Sequence, residues 1–317
     1  MSERPRALFF GSPDFAVPGL AVMAALTDLR GVVSQPDRPA GRGRELHQPA
    51  VKVAARGLGL PLLQPEKIRT PEFETALRAF DPEIFVVIAY GRILPPALLA
   101  IPRLGCWNVH ASLLPRLRGA APIQWAIIRG ESRTGVAVMR MEEGLDTGPV
   151  AAVAETAISD DDTAATLSAR LARLGADLLS ETLPRIATGA VTLREQDHAR
   201  ATLAPPLRKE DGRLDFTQPA RAVSARARGV DPWPGATAIL DAEVIKLFQP
   251  RVVAIAGLAP ARVRPGRVVD AGAAGLVIGC GEGGAVAFGE LQLPGRKRLP
   301  AGVVLNGRPI PPDTLLG

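Results

Sequence analysis

Cysteine is nearly absent from this 317-residue sequence: Cys106 and Cys280 stand alone, neither in a Cys-x-x-Cys pair. That argues against a zinc ribbon and a dithiol redox motif, and a chain of this length buries large cores without disulfide staples. Histidine is as scarce. His47, His110 and His198 lie far apart and none falls in a metal-ligand spacing, so no metal is expected. No apolar run approaches the roughly 20 residues of a membrane span. The run Ala7–Phe10 is too short for a signal-peptide core, and the expectation is a cytoplasmic protein without membrane association. A Gly-x-Gly-x-x-Gly turn is missing too. The first strand-like run ends at Gly11-Ser12-Pro13-Asp14, which lacks the spacing that sets a helix N-terminus on a pyrophosphate, so a dinucleotide cofactor is not supported. Internal repeats, low-complexity tracts, and a Ser or Cys nucleophile beside an obvious base are not found.

What is present reads as two domains, at roughly 100–200 residues each. The first two-thirds of the chain alternates strand-like and helix-like segments. Ala7–Phe10, Gly31–Ser34, Glu83–Ala89 with its apolar run Ile84-Phe85-Val86-Val87-Ile88, Cys106–His110, Thr134–Met141 and Pro149–Glu155 read as strands. Helical spacing covers Phe15–Leu26, Pro49–Arg56, a segment opened by Thr70-Pro71-Glu72, Ala121–Arg129, and Ala164–Ile186 behind Asp160–Thr163. This alternation predicts an α/β domain with a doubly wound, mostly parallel sheet over residues 1–190. Residues 191–207 are polar and then Pro-containing, and read as a linker. Short β-rich runs punctuated by Gly and Pro follow, predicting a small β-barrel, OB-like, over 208–317. The net charge of +6 is uneven: residues 208–317 hold 15 Lys/Arg against 10 Asp/Glu, and residues 1–207 hold 23 against 22. A basic domain beside a near-neutral one fits a polyanionic partner such as RNA, and also fits ordinary solubilising surface charge.

Two stretches carry chemistry. In Gly105-Cys106-Trp107-Asn108-Val109-His110, strand alternation sends Asn108 and His110 to one side at the strand's carboxyl end, where open α/β sheets bind ligands. An amide donor beside an imidazole suits attack of an amine on a carbonyl: the amide stabilises an oxyanion and the imidazole moves protons. Asp146, in the Gly-flanked turn Glu142–Pro149, is the candidate acid to orient that ring. Taken alone, each of these residues also fits an ordinary strand edge or turn. Cys106 shares the side of Asn108 by alternation and reads as a small core residue. The second stretch, Ser34–Pro49, is too polar and too rich in Gly and Pro for a strand or helix. Its Arg38, Arg42 and Arg44 suit phosphate contact, and the stretch equally fits a solvated loop.

The segments Phe10–Phe15, Gln35–Gly43, Asn108–Pro115, Arg118–Gln124, Gly144–Gly148, Lys209–Asp215, Asp231–Ala236 and Asn306–Arg308 occur in an order that resembles the folate-dependent formyltransferases, and among them the methionyl-tRNA formyltransferases. The likeness runs along essentially the whole chain. It implies transfer of a formyl group from 10-formyltetrahydrofolate, as co-substrate and without a metal, to the α-amine of methionine on charged initiator tRNA, in support of translation initiation. By this resemblance Asn108 donates to the oxyanion, His110 stabilises charge and relays protons, and Asp146 orients His110. Ser112, Leu113, Leu114 and Pro115 match the family's folate loop, and Ile88, Ala89, Tyr90 and Gly91 would wall the pterin pocket. Arg42, flanked by Arg38 and Arg44, matches the arginine that meets the tRNA acceptor end, and the C-terminal barrel would grip tRNA phosphates. No obligate protein partner is implied. Two other readings share the same residues: a formyltransferase acting on an amino sugar nucleotide, and a non-catalytic RNA-binding protein on the same scaffold. The Arg-bearing loop and basic C-terminal domain favour tRNA over the sugar, and the intact Asn–His–Asp set favours catalysis over binding alone.

Overall fold

The computed structural model describes residues 4–40, 45–254, 263–272 and 275–317. Two units divide the chain, each discontinuous in sequence: Met1–Pro122 with Thr134–Thr156 and Ser168–Pro205, and Ile123–Arg133 with Ala157–Leu167 and Pro206–Gly317. Through the first two-thirds the strands are β1 (Arg6–Gly11), β2 (Asp28–Val33), β3 (Arg38–Ala40), β4 (Glu45–His47), β5 (Leu62–Leu63), β6 (Ile84–Ile88), β7 (Cys106–His110), β8 (Arg133–Arg140) and β9 (Val150–Ala157). The helices over the same stretch are α1 (Val17–Leu26), α2 (Ala50–Gly57), α3 (Pro71–Arg78), α4 (Pro96–Leu99), α5 (Pro122–Ile128) and α6 (Ala164–Ala187).

The first unit is built on a seven-stranded sheet of order β5-β2-β1-β6-β7-β8-β9. The pairs β2–β5, β1–β2, β1–β6 and β6–β7 are parallel, and β8 runs antiparallel to β7. This is the doubly wound, mostly parallel sheet expected. All five residues of the central strand β6, Ile84-Phe85-Val86-Val87-Ile88, are buried. A parallel strand covered on both faces needs apolar side chains in succession, not in alternation. Beneath it Phe10 meets Phe85 and Tyr90 at centroid distances of 5.0 and 5.5 Å, within a cluster that includes Leu8, Phe73, Leu77 and Cys106. Helix α3 starts as read: Thr70 accepts a hydrogen bond from the Phe73 amide, with Pro71 next and Glu72 and Glu74 in the first turn. The chain lays down β1, β2 and β5 to one side, then returns past β1 to add β6 and β7. The strand order therefore reverses between β1 and β6, and their carboxyl ends frame the crevice where such sheets take ligands.

Two features of this unit differ from the sequence reading. The stretch 34–49, expected to hold neither strand nor helix, contains the short antiparallel pair β3–β4, with Arg38 opposite His47. Backbone pairing there does not depend on an apolar pattern, which is why the composition hid it. The segment read as a linker, 191–207, packs on this unit through Pro205. Gln196 and Ala204 are buried, and Arg118 forms a parallel bridge with Leu203.

The second unit adds α7 (Ala220–Gly229), β10 (Ala236–Leu240), β11 (Glu243–Val253), β12 (Val268–Gly272), β13 (Gly275–Gly279), β14 (Ala285–Gln292), β15 (Leu299–Pro300) and α8 (Ala301–Gly307). Its six-stranded antiparallel sheet runs β10-β11-β14-β13-β12, with β15 on β14. The last residues join the two ends of that order. The Val268 amide donates to the Thr314 carbonyl at 2.9 Å and the Leu316 amide to Gly266 at 2.8 Å, while Ile239 and Gly317 exchange bonds of 2.6 and 3.1 Å. The C-terminal segment thus closes the sheet as a small barrel and covers edges that would otherwise offer unpaired amides and carbonyls. Earlier pieces of chain belong here for specific reasons. Trp125 of α5 lies against the guanidinium groups of Arg129 and Arg226, at 5.3 and 5.7 Å. Buried Arg228 donates to the Ser159 and Asp162 carbonyls at 3.2 and 3.0 Å. Among the described residues no helix is long and apolar enough to cross a membrane.

Candidate active site

Strand β7 pairs with β6 so that Asn108 stands opposite Val87, and both strands deliver their following loops to the carboxyl edge of the sheet. Asn108 is half-buried and His110 is 5% exposed. Asp146 comes to them from the turn between β8 and β9. Its Oδ1 lies 3.5 Å from Asn108 Nδ2 and its Oδ2 3.7 Å from His110 Nδ1, while Oδ2 also accepts a 2.8 Å bond from the Gly119 amide. The structure therefore brings together the three residues singled out from the sequence, which are 38 residues apart at the widest hydrogen-bonded pair.

The imidazole is fixed from its far side. His110 Nε2 lies 3.0 Å from the Leu117 carbonyl oxygen. A carbonyl only accepts, so Nε2 carries the hydrogen and Nδ1, facing Asp146, is the nitrogen available for proton transfer. The shorter orienting contact is thus a main-chain carbonyl and not the carboxylate. Both Leu117 and Asp146 hold positive φ, at 57° and 54°. Non-glycine residues resist that region, so each is kept there by neighbouring bonds. Glycine is required beside them at two points. A Cβ on Gly119, at φ 121°, would meet the Ala204 carbonyl oxygen at 2.7 Å, and one on Gly148 would collide with the Arg140 carbonyl.

The remaining candidates are placed as follows. Ser112 is fully buried and donates to the Arg116 carbonyl at 2.6 Å, closing the turn, whereas Leu113, Leu114 and Pro115 are half-buried and border the edge. Ile88 turns its side chain onto Gly19 of α1, and Tyr90 turns its ring into the core, so neither side chain faces the crevice. Burial pushes the Tyr90 phenol up to about 12, and its hydroxyl has no hydrogen-bond partner among the described residues. Ala89 and Gly91 are exposed at φ 47° and 80°, which leaves main chain to meet a ligand. The Gln35 amide braces that bend by donating to the Tyr90 carbonyl at 3.0 Å. Arg38 is exposed on β3, and Arg42 and Arg44 lie outside the described residues. Just before β3, Lys52 and Gln64 bond to Asp37 at 2.5 and 2.9 Å and hold its carboxyl below the usual range. Cys106 is 2% exposed with its thiol pushed up to about 12 by burial, as suits a core residue and not a nucleophile.

Sequence reasoning missed Leu117, Gln196 and Thr202. Leu117 presents a carbonyl, which no side-chain pattern reports, and the other two sit in the polar stretch read as a linker.

An α/β sheet bearing an amide, an imidazole and a carboxylate at its carboxyl edge, joined in one chain to a small barrel, is the arrangement of a formyl transferase. Residues 21–183 match the family described as formyl transferase, and residues 206–309 match the formyl transferase C-terminal domain. A methionyl-tRNA formyltransferase of Sorangium cellulosum is 48% identical over 98% of this chain and 99% of its own length. The fold is shared with HypX of Aquifex aeolicus in complex with tetrahydrofolic acid (TM-score 0.63, 17% identity, 96% of this chain), of which this chain spans 47%. It is shared also with WlaRD, a sugar 3N-formyl transferase (TM-score 0.68, 15% identity, 93% of this chain and 100% of that one). The chain belongs to the methionyl-tRNA formyltransferase family.

Proposed function

We propose that this enzyme transfers the formyl group of 10-formyltetrahydrofolate to the α-amine of methionine on charged initiator tRNA, in the cytoplasm. The observation that carries the chemistry is the convergence of Asn108, His110 and Asp146 at the sheet's carboxyl edge, with His110 Nδ1 turned toward the carboxylate. The exposed main chain at Ala89 and Gly91 and the half-buried Leu113–Pro115 fit a flat heteroaromatic group on adjacent loops, with backbone donors and acceptors on one side and apolar carbons on the other. When bound there, the folate supplies the activated formyl group.

The chain's own residues then have distinct tasks. Asn108 Nδ2 donates to the formyl oxygen as negative charge develops, the role of a preorganised oxyanion donor. His110 Nδ1 takes up the proton shed by the attacking amine, pairs as imidazolium with Asp146, and gives that proton to the folate nitrogen as its bond to the formyl carbon breaks. The Gly119 amide and the Leu117 carbonyl keep carboxylate and ring from reorganising during the step. Arg38, with Arg42 and Arg44, would meet the acceptor end of the tRNA, and the basic second unit its phosphates. The 48% identity to a methionyl-tRNA formyltransferase, against 15% to the sugar formyltransferase, favours the tRNA acceptor.

A formyl-transfer assay with charged initiator tRNA and an amino sugar nucleotide tests the assignment. Transfer to the tRNA alone is expected; transfer to the sugar alone overturns it. His110→Ala should abolish transfer and leave tRNA binding intact, and absence of transfer by the wild type would favour a binding protein.

A further inference from the structure

The strap 196–204 reaches both partners of the imidazole. Gln196 is 7% exposed, and its amide is completely committed. Nε2 donates to the Asp146 carbonyl at 2.9 Å and the Gly148 carbonyl at 2.7 Å. Oε1 accepts from Arg118, at 2.7 Å from Nη2 and 3.2 Å from Nε. Arg118 is itself 7% exposed, and His198 Nδ1 lies 3.0 Å from its Nη2. Six residues after Gln196, Thr202 accepts from the Leu117 amide through its hydroxyl at 2.9 Å and from the Arg118 amide through its carbonyl at 2.8 Å. The strap thus ties down both non-glycine residues held at positive φ around His110.

We propose that Gln196 is a positioning residue for formyl transfer: it clamps the turn of Asp146 against Arg118 and so sets the carboxylate relative to His110 Nδ1 and Asn108 Nδ2. The inference rests on the reading of those three residues as the transfer site. Only an amide both donates twice and accepts here; glutamate cannot donate and lysine cannot accept. Nothing on Gln196 is left to touch substrate, so its effect passes through Asp146. Because one of its bonds goes to the carbonyl of Asp146 itself, its loss releases the backbone dihedrals of that residue, which relax from φ 54° toward ordinary values. The side chain would then swing away from the Gly119 amide and from His110.

The test is a double-mutant cycle of Gln196→Ala with Asp146→Asn, read as kcat and as KM for each substrate. Gln196→Ala should lower kcat about 10- to 100-fold, the usual cost of a misplaced group, with KM for folate and tRNA within about 2-fold, and should lower the melting midpoint because buried Arg118 and two carbonyls lose a partner. In the Asp146→Asn background the same change should cost almost nothing further, because the two act in series. Gln196→Glu, which keeps the side-chain volume and the acceptor for Arg118 but removes the donor, should reproduce the kcat loss and carries the test where alanine loses the fold. A kcat within 2-fold of wild type, an equal loss in both backgrounds, or collapse of the fold in both variants would overturn the proposal. Wild-type enzyme inactive on charged initiator tRNA would instead refute the reading of the site.

Discussion

The ring of His110 is held by a carbonyl on one nitrogen and faces a carboxylate with the other, so its proton-accepting side is determined before any substrate arrives. Asn108 completes the site as a neutral donor. Asn108→Ala is expected to lower kcat about 10²- to 10³-fold, the typical loss of one oxyanion donor, with KM for folate changed little in steady-state kinetics. A large KM rise with unchanged kcat would make Asn108 a binding residue. Tyr90 makes the opposite case. Its ring is core and its hydroxyl is buried without a partner among the described residues, so Tyr90→Phe removes a desolvated group at no loss of packing. The variant should melt at or above the wild-type temperature and keep the wild-type KM for folate, whereas a raised KM would show that the hydroxyl meets the co-substrate.

Among the elements, the start of β6 ties the sheet together. Glu83, just before it, accepts from the Arg6 amide at 3.0 Å at the start of β1, and from Arg103 Nε at 2.9 Å in the loop leading to β7. The Arg6 amide first, and the Arg103 guanidinium after it, hold this carboxyl below its ordinary 4.5. A depressed carboxylate contributes its stability in full above the ordinary value and loses it as pH falls through the depressed one. Thermal melts should therefore show wild-type stability falling on acidification below 4.5, and Glu83→Gln should be less stable at neutral pH with a shallower acid decline. Parallel acid profiles for the two proteins would contradict this.

At the scale of the whole molecule, each unit is completed by chain distant in sequence from the sheet it joins. The barrel is closed by the last residues, Thr314–Gly317, bonded to Gly266, Val268 and Ile239. Deleting residues 314–317 should lower the melting temperature and promote aggregation through the exposed edges of β10 and β12, as light scattering during a melt would show. An unchanged melt would mean that the closure is dispensable. The basic excess in 208–317 leads to a further expectation: affinity for tRNA should fall linearly in a plot of log K against log salt, because phosphate contacts release counterions. A flat profile in filter-binding or anisotropy measurements would remove phosphate contact from the account.

Periodicity and punctuation alone determined much of this protein. The apolar run of β6, the Thr70 cap and the Asn108-x-His110 alternation are local properties, dictated by burial on two faces, an unpaired helix amide and the two-residue repeat of a strand. The order of short motifs carried the family. Folding in three dimensions decided the rest. The β3–β4 pairing and the barrel closure are made by main-chain hydrogen bonds, which have no sequence signature, and the strap 196–204 by main-chain and side-chain bonds to segments far away in the sequence. Which face Ile88 and Tyr90 present also depended on packing, since their apolar bodies are drawn into the core and leave backbone at the crevice. The candidate triad was legible because its chemistry lies in side chains. The Leu117 carbonyl and the Gln196 amide that surround it were not, because only the folded chain brings a polar strap beside a turn and makes a carbonyl the partner of His110.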